Sequence, residues 1–264
     1  MEYIYSIVLA IVQAVTEFLP ISSSGHLVIV HQLIPSELLN NLSFDVVLHF
    51  GTLVALVIYF WQDLIRIAKG FFSRQKNSDR YLGWMLIIGI LPALIIGYFF
   101  EDFIEQNFRS VEWVIVMLVV GGILFLIAEK FSSKKRDISS ISLSDALIIG
   151  LFQILAFIPG MSRSGITIVG GLSRSLSRKE AARFSFLMAM PIILIATIKR
   201  ITQISLNDSS LVFVFILGAA IAALIGYFVI KFLLKFLEKK SLVGFAIYRF
   251  CLAALLIFFL LNFN

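Results

Sequence analysis

The sequence predicts an all-α polytopic membrane protein, with six transmembrane helices plus two re-entrant helical hairpins arranged as an inverted-topology repeat. Three observations predict this fold: long apolar runs, an uneven distribution of Lys and Arg between them, and two polar breaks that resemble each other. Sixty per cent of the 264 residues are apolar and 14% are charged, which excludes a soluble globular domain and a disordered chain. The apolar runs do not alternate with polar residues, so they indicate helices and not barrel strands.

Six of the apolar runs are long enough to cross a bilayer, which takes about 20 helical residues. They cover residues 44–61, 81–100, 113–129, 184–198, 211–230 and 243–261. The fourth run contains Pro191, which predicts a kink. Two further apolar regions, residues 2–34 and 143–173, are interrupted in the middle by polar residues, so each is either one broken crossing or a re-entrant hairpin.

The Lys and Arg residues decide between these alternatives. Of the 22, 17 fall in four segments: 62–80, 130–143, 173–183 and 231–242. Because cytoplasmic loops carry the excess of positive charge, we predict that these four segments are cytoplasmic, and all six crossings then alternate in direction. Segments 130–143 and 173–183 both lie inside, so the chain between them enters and leaves by the same face. This predicts a re-entrant hairpin from the cytoplasmic side.

The two polar breaks look like copies of one segment. At a constant offset of 140 residues, the matched residues of the first copy are Gln13, Ser22, Ser24 and Gly25, and those of the second are Gln153, Ser162, Ser164 and Gly165. We therefore predict a single membrane domain, 1–264, with internal repeats at approximately 1–130 and 141–264 that run in opposite directions. The first hairpin then enters from the outer side, and the site is expected where the two breaks face each other near the midplane.

The first break contains a carboxylate in an apolar region. Gln13 and Glu17 are four residues apart and share a helix face just before Pro20. A carboxylate at membrane depth costs about 2.5–3.5 kcal/mol on insertion scales, so Glu17 needs a metal ion, a cation or water as a partner. The alternative is a Glu that reaches solvent from a helix end.

A run of hydroxyl residues follows Pro20. One of Ser22, Ser23 and Ser24 would serve as a helix N-cap, and three in a row exceed what a cap needs. The free N–H groups and the positive end of a half-helix are suited to phosphate. His26 lies in the same first turn, where a neutral imidazole can act as a base or a nucleophile.

The second break contains Arg163, flanked by Ser162 and Ser164, with Thr167 one turn further on. A guanidinium at midplane does not deprotonate, so it demands an anion. A structural ion pair with Glu17 is one interpretation of this residue. The fork of donors among hydroxyl and N–H groups suits a phosphate or a diphosphate better.

Other polar residues of the crossings rank lower as site candidates. We expect Asp45 to mark the outer mouth, Arg249 to extend its side chain to the inner surface, and His49 and Thr52 to pack in the core, with a place in the cavity lining as the alternative for His49. The net charge of +6 comes from basic residues in short gaps between apolar runs. These are topology signals, so no nucleic-acid partner is expected.

Three segments resemble those of a known family. Residues 13–17 fit a Glu/Gln-x-x-x-Glu motif with Gln in the alternate position, and residues 159–167 fit Pro-Gly-x-Ser-Arg-Ser-x-x-Thr in full. Residues 18–26 also look like the family's tract, with Ser24 where Thr is often found. On these motifs, and on length and hydropathy from end to end, the chain resembles the undecaprenyl-diphosphate phosphatases, the bacitracin-resistance family of bacterial membrane enzymes.

The resemblance implies an activity and a location. The activity is hydrolysis of undecaprenyl diphosphate to undecaprenyl phosphate and inorganic phosphate with Mg²⁺ or Ca²⁺, which recycles the lipid carrier for cell-wall synthesis and confers bacitracin resistance. The expected partners are the polyprenyl diphosphate lipid and the membrane, and a homodimer is a further expectation. The expected location is the bacterial cytoplasmic (inner) membrane, as a multi-pass protein with its active site facing the periplasm.

The resemblance also implies roles for individual residues. The catalytic set is Glu17, Ser23, His26 and Arg163, and the metal ligands are Glu17 and Gln13. The diphosphate-binding set is Arg163, Ser162, Ser164, Thr167, Ser22 and Ser24. The nucleophile stays open between His26, Ser23 and a water molecule. A polyprenyl-phosphate flippase is the alternative function, since inverted repeats and broken helices are also typical of transporters.

Overall fold

A computed structural model of the chain describes residues 1–33, 36, 42–73, 77–108, 110–201 and 209–263. In these ranges the protein consists of α-helices, two short 3₁₀ turns and no strand. The helices are α1 (Glu2–Phe18), α2 (Ser23–Leu33), α3 (Leu42–Tyr59), α4 (Trp61–Phe72), α5 (Ser78–Asn107), α6 (Val111–Phe131), α7 (Leu143–Ile154), α8 (Arg163–Ser173), α9 (Arg178–Ile201), α10 (Ser209–Lys239) and α11 (Val243–Phe263). The predicted all-α polytopic membrane class is confirmed.

Five of these helices, α5, α6, α9, α10 and α11, are long and apolar enough to cross a membrane. They correspond to five of the six predicted crossings. The remaining one, predicted at 44–61, is α3 followed after Phe60 by α4 at an angle of 74°, and this bent pair is the sixth span if it is counted as one. The count of six with two re-entrant hairpins therefore stays a prediction.

Helix α9 is the central helix of the bundle. In its apolar part 61% of the residues are buried, against 22–39% for the other four spans. It packs against α3 on one side and against α8 on the other. Pro191 lies inside this helix, which continues through it. The predicted fourth crossing is thus a 24-residue helix that begins at Arg178.

The four segments rich in Lys and Arg lie together at one end of the molecule. Ion pairs connect these segments and the adjoining helix ends: Arg183 with Asp63, Arg178 with Glu129, and Lys179 with Glu238. The backbone N–H of Leu242 also donates to Glu129, at 2.9 Å. The structure therefore brings the predicted cytoplasmic segments to a common surface, which we call the basic end.

The unit formed by α7 and α8 starts and finishes at the basic end. Asp145, in the first turn of α7, accepts hydrogen bonds from Arg136 at 2.7 Å and from Arg174 at 2.6 Å. Burial acts to raise the pKa of Asp145, but the hydrogen bonds from both guanidinium groups outweigh it and hold this pKa well below its ordinary value. Since Arg136 precedes the unit and Arg174 follows it, the chain enters and leaves by the same face, as the charge pattern predicts.

The unit formed by α1 and α2 is anchored at the opposite end. Ser36, beyond α2, donates to Glu2 at 2.6 Å, so this unit also starts and finishes on one side. Ser6 donates to the carbonyl of Val214, near the start of α10, at 3.0 Å. From Val214, helix α10 continues to Lys239, about 25 residues and roughly 38 Å further along, where it reaches the basic end. The two broken units therefore insert from opposite ends of the molecule.

Candidate active site

The two polar breaks meet in the interior. Arg163, at the start of α8, donates to Oε1 of Glu17, near the end of α1, at 2.5 Å. Helices α2 and α8 both begin at this meeting point. The first N–H groups of a helix have no acceptor within the helix, and its N-terminus carries a partial positive charge. Two half-helix N-termini and a guanidinium therefore surround one carboxylate.

Matching serine caps start the two half-helices. Ser22 and Ser162 have φ angles of 77° and 71°, in the left-handed region that serine seldom adopts. Each hydroxyl accepts from the backbone N–H three residues on, at Gly25 and at Gly165, both at 3.2 Å. An unfavourable backbone conformation of this kind costs about 1–3 kcal/mol and is typical of functional sites. The shared geometry supports the predicted duplication.

Glu17 accepts hydrogen bonds from three side chains. Its Oε2 atom receives the hydroxyl of Ser23 at 2.7 Å and the amide nitrogen of Gln13 at 3.2 Å, while Oε1 pairs with Arg163. The Glu17 side chain is only 5% exposed, so it does not reach solvent from a helix end. Of the partners considered for this carboxylate, a metal ion, a cation or water, the structure shows a cation, and it comes from the other repeat.

A cavity of about 400 Å³ opens beside this ion pair. Its polar residues are Glu17, Ser23, Ser24, His31, Asp45, His49, Ser162, Arg163 and Thr197. Apolar side chains of α2, α3, α5, α9 and the turn after α7 line the remainder, among them Ile104, Phe157 and Ile192. A polar floor and an apolar wall suit an amphiphilic ligand with an anionic head group.

Other predicted site residues lie outside the cavity lining. Gln13 and Ser22 are fully buried, and Ser164 and Thr167 are each 1% exposed. The Thr167 hydroxyl bonds to the carbonyl of Arg163 at 2.7 Å and to the hydroxyl of Ser185 at 2.5 Å, which joins α8 to α9. The roles predicted for these residues stay predictions.

His26 faces α11 instead of the cavity. Its Nδ1 atom lies 2.7 Å from the carbonyl of Ser22, and its Nε2 atom lies 2.7 Å from the hydroxyl of Tyr248. A carbonyl only accepts, so Nδ1 carries the proton and Nε2 accepts from the tyrosine. His26 is one helical turn from Ser23, but its ring is committed to these two contacts.

Arg249 holds the two breaks in place. Its side chain is fully buried in α11, with its guanidinium 5.1 Å from the ring of Phe125. It donates to five backbone carbonyls, at 2.8–3.4 Å: Pro20 in the first break, Gly160 and Met161 in the second, and Met117 and Leu118 in α6. The expectation that Arg249 extends to the inner surface is wrong. The reason is that the broken helices leave carbonyls without helical partners, and the guanidinium satisfies them.

For His49 the sequence favoured core packing over a place in the cavity lining, and the structure shows the second of these. It lines the cavity, with Nδ1 3.0 Å from the amide nitrogen of Gln13 and 3.7 Å from Glu17. Asp45, four residues earlier on α3, lines the same cavity and pairs with His31 at 3.0 Å. The spacing of Asp45 and His49 on one helix face was the signal that could have found them.

Several buried polar atoms around the cavity have no hydrogen-bond partner in the part of the chain that the structure describes. They are Nη1 of Arg163, Oε1 of Gln13 and Oγ1 of Thr197. Buried polar groups are almost always paired, so atoms such as these indicate a ligand or ion that belongs in the site. Arg163 therefore has a donor to spare while it remains paired with Glu17.

The fold and the cavity together define a class: a polytopic helical membrane protein with a polar cavity where two opposed broken helices meet. Residues 6–255 match the family described as Bacitracin resistance protein BacA, and the chain belongs to this family. An undecaprenyl-diphosphatase of Moorella thermoacetica is 41% identical over 259 residues, covering 97% of both chains. Those of Thermodesulfovibrio yellowstonii and Rubrobacter xylanophilus are 44% and 42% identical, with at least 97% of each chain covered.

Proposed function

We propose that this protein is a membrane phosphatase that hydrolyses undecaprenyl diphosphate to undecaprenyl phosphate and inorganic phosphate. This reaction recycles the lipid carrier for cell-wall synthesis and confers bacitracin resistance. The observation that carries the proposal is the convergence of Arg163, Glu17 and Ser23 in one cavity at the N-termini of two half-helices. Relatives that match the chain almost end to end bear the name undecaprenyl-diphosphatase.

Recognition of the diphosphate rests on donors of residues that line the cavity. The unpartnered Nη1 of Arg163 and the hydroxyls of Ser24 and Ser162 accompany the first-turn N–H groups of α2 and α8. The apolar wall, with Phe157 and Ile192, receives the first isoprene units, and the rest of the tail stays in the lipid.

Ser23 and Glu17 are suited to the transfer step. The Ser23 hydroxyl already donates to Glu17 at 2.7 Å, as a nucleophile paired with its base. Ser23 Oγ attacks the terminal phosphorus, its proton passes to Glu17, and the bond to the bridging oxygen breaks, so undecaprenyl phosphate leaves. Water then hydrolyses the phosphoserine and restores the hydroxyl. His26 does not line the cavity. Its hydrogen bond to the Ser22 carbonyl instead holds Ser22 and the adjoining turn in position.

A divalent cation, Mg²⁺ or Ca²⁺, fits the residues present. Glu17 and Asp45 bring two negative charges to the cavity and Arg163 brings one positive charge, so the chain alone does not neutralise a diphosphate. The Glu17 carboxylate is the hard oxygen donor that would hold the ion, whereas Gln13 presents its amide nitrogen to Glu17 and so does not act as a second ligand in this geometry. Among the described residues no cluster of three His, Cys, Asp or Glu side chains forms a full metal site. Such an ion would supply charge neutralisation for the diphosphate.

The test is phosphate release from undecaprenyl diphosphate by purified protein in detergent, with Mg²⁺ or Ca²⁺ titrated. We expect metal-dependent release that is lost in Arg163→Ala and Glu17→Ala. The matched control is Arg66→Ala, which removes a half-exposed arginine at the basic end and should leave release unchanged. No release at any metal concentration, together with movement of polyprenyl phosphate across vesicles, would establish the flippase instead.

The location and assembly belong to the same proposal. His31 and Asp45 lie on the cavity side away from the basic end, so a cytoplasmic basic end directs the cavity to the periplasm across the inner membrane. Labelling of Asp45→Cys by a membrane-impermeant thiol reagent from the periplasm, in a Cys251→Ser background, tests this orientation. The homodimer is tested by light scattering in detergent.

A further inference from the structure

His49 carries two ring nitrogens with different surroundings. Its Nδ1 atom contacts the Gln13 amide inside the bundle, while the ring lines the cavity and its side chain is 36% exposed. We propose that His49 is a substrate-binding residue whose Nε2–H donates a hydrogen bond to a phosphate oxygen in the cavity. The proposal rests on the proposed function, because the ligand is the diphosphate head group of that reaction.

The orientation of the Gln13 amide determines which ring nitrogen of His49 accepts a hydrogen bond. Glu17 accepts from Arg163 and from Ser23, as an ionised carboxylate does, and a carboxylate has no proton to donate. The amide atom that faces Glu17 at 3.2 Å is therefore the nitrogen. This nitrogen has two protons, one for Glu17 and one for Nδ1 of His49 at 3.0 Å.

The protonation of His49 follows from this contact. Because Nδ1 accepts from Gln13, the neutral ring carries its proton on Nε2. In the residues that the structure describes, no hydrogen-bond acceptor is seen for this N–H. The buried amide of Gln13 fixes the direction of this N–H donor on the wall of the cavity that Arg163 and Ser23 also line. The N–H group can therefore donate a hydrogen bond to a phosphate oxygen.

The second repeat supports this assignment by contrast. At the offset of 140 residues, the positions of Glu17 and His49 are occupied by Phe157 and Ala189, although Gln153 is retained. Both amide atoms of Gln153 are buried without a partner among the described residues. The arrangement of amide, carboxylate and imidazole thus belongs to the first repeat alone, on the side of the cavity where the proposed nucleophile lies.

Two replacements of His49 distinguish the roles of its two ring nitrogens. His49→Gln places an amide N–H near the position of Nε2 and loses the Nδ1 acceptor, whereas His49→Asn retains an acceptor near Nδ1 and loses the donor to the cavity. The assay measures kcat and KM for undecaprenyl diphosphate with purified protein and saturating Mg²⁺. Thr52→Val is the control, since Thr52 bonds to the His49 carbonyl one turn along α3 and does not line the cavity.

We expect His49→Asn to raise KM about tenfold or more, the equivalent of one hydrogen bond to a charged group. His49→Gln should keep KM near the wild-type value, and Thr52→Val should change neither constant. Unchanged KM in His49→Asn, or equal increases in both variants, overturns the proposal for His49. An inactive wild-type protein overturns the proposed function itself. Thermal unfolding in detergent is measured for each variant, so that a KM change in a protein of wild-type stability is attributed to the site.

Discussion

Arg249→Met should lower both stability and activity, although Arg249 does not line the cavity. The guanidinium donates to five carbonyls, and those of Met117 and Leu118 also have helical N–H partners available. The carbonyls of Pro20, Gly160 and Met161 lie in the breaks. Each buried carbonyl left unsatisfied costs about 1–3 kcal/mol, so three give about 3–9 kcal/mol before relaxation.

Relief of the buried charge offsets part of this cost, and about 3–5 kcal/mol of lost stability is expected. At about 2–4 °C per kcal/mol, Arg249→Met should lower the Tm by roughly 6–20 °C. The two breaks also lose their common anchor, and a displacement of about 1 Å at a reacting centre costs about 100-fold in rate. Arg249→Lys keeps the charge with fewer donors, so its losses should be intermediate.

Two glycines provide an independent check on the Arg249 prediction. A Cβ atom at Gly121 would lie 2.1 Å from Nη2 of Arg249, so Gly121→Ala should displace the guanidinium and reproduce the arginine variant. A Cβ atom at Gly244, on the same helix as Arg249, meets nothing within 4 Å, so Gly244→Ala is the matched control. Tryptophan-monitored thermal unfolding in detergent and phosphate release are the two assays. Wild-type Tm and wild-type turnover in Arg249→Met would show that the guanidinium does not hold the two breaks in place.

Three further predictions concern other positions. Glu17→Gln keeps the size of the side chain and removes its charge. Because loss of a general base usually costs about 100-fold or more, kcat for phosphate release should fall by that factor. A rate near wild type would contradict this. Gly160 has a φ of +95°, and a Cβ atom there would lie 2.5 Å from the carbonyl oxygen of Val114. Gly160→Ala should therefore lower the free energy of unfolding by more than about 1 kcal/mol. An unchanged Tm in thermal unfolding would contradict this. The pKa of Asp145 is lower in the folded protein than in the unfolded chain, so its stabilising effect is complete above about pH 4 and is lost as the pH falls further. Asp145→Asn should therefore be less stable at neutral pH and show a smaller decrease in Tm on acidification, whereas parallel pH profiles would contradict the assignment.

The sequence predicted those features that depend on composition and charge along the chain. Five of the six crossings coincide with membrane-length helices, because runs of apolar residues determine them locally. The contact between Glu17 and Arg163 was foreseen as one alternative, because each charge needs a partner at membrane depth. The Lys and Arg segments gather at one end, as the charge pattern requires.

Features that depend on contacts between distant elements were not accessible from the sequence. The acceptors of Arg249 come from α6 and from both breaks, so its position on α11 gives no sign that five carbonyls converge on it. The turn of His26 toward Tyr248 and the meeting of His49 with Gln13 likewise join separate helices. The bend between α3 and α4 lies at Phe60, next to the last residue of the apolar run 44–61, and no Gly or Pro marks it.

We propose that the tips of the two broken helices share one active site. A double-mutant cycle across the tips tests it most directly: kcat/KM for undecaprenyl diphosphate in Ser23→Ala, in Arg163→Lys and in the double variant. If both side chains act on the same phosphoryl group, the double variant should lose far less activity than the product of the two single losses. A double variant whose loss equals that product would contradict the shared site.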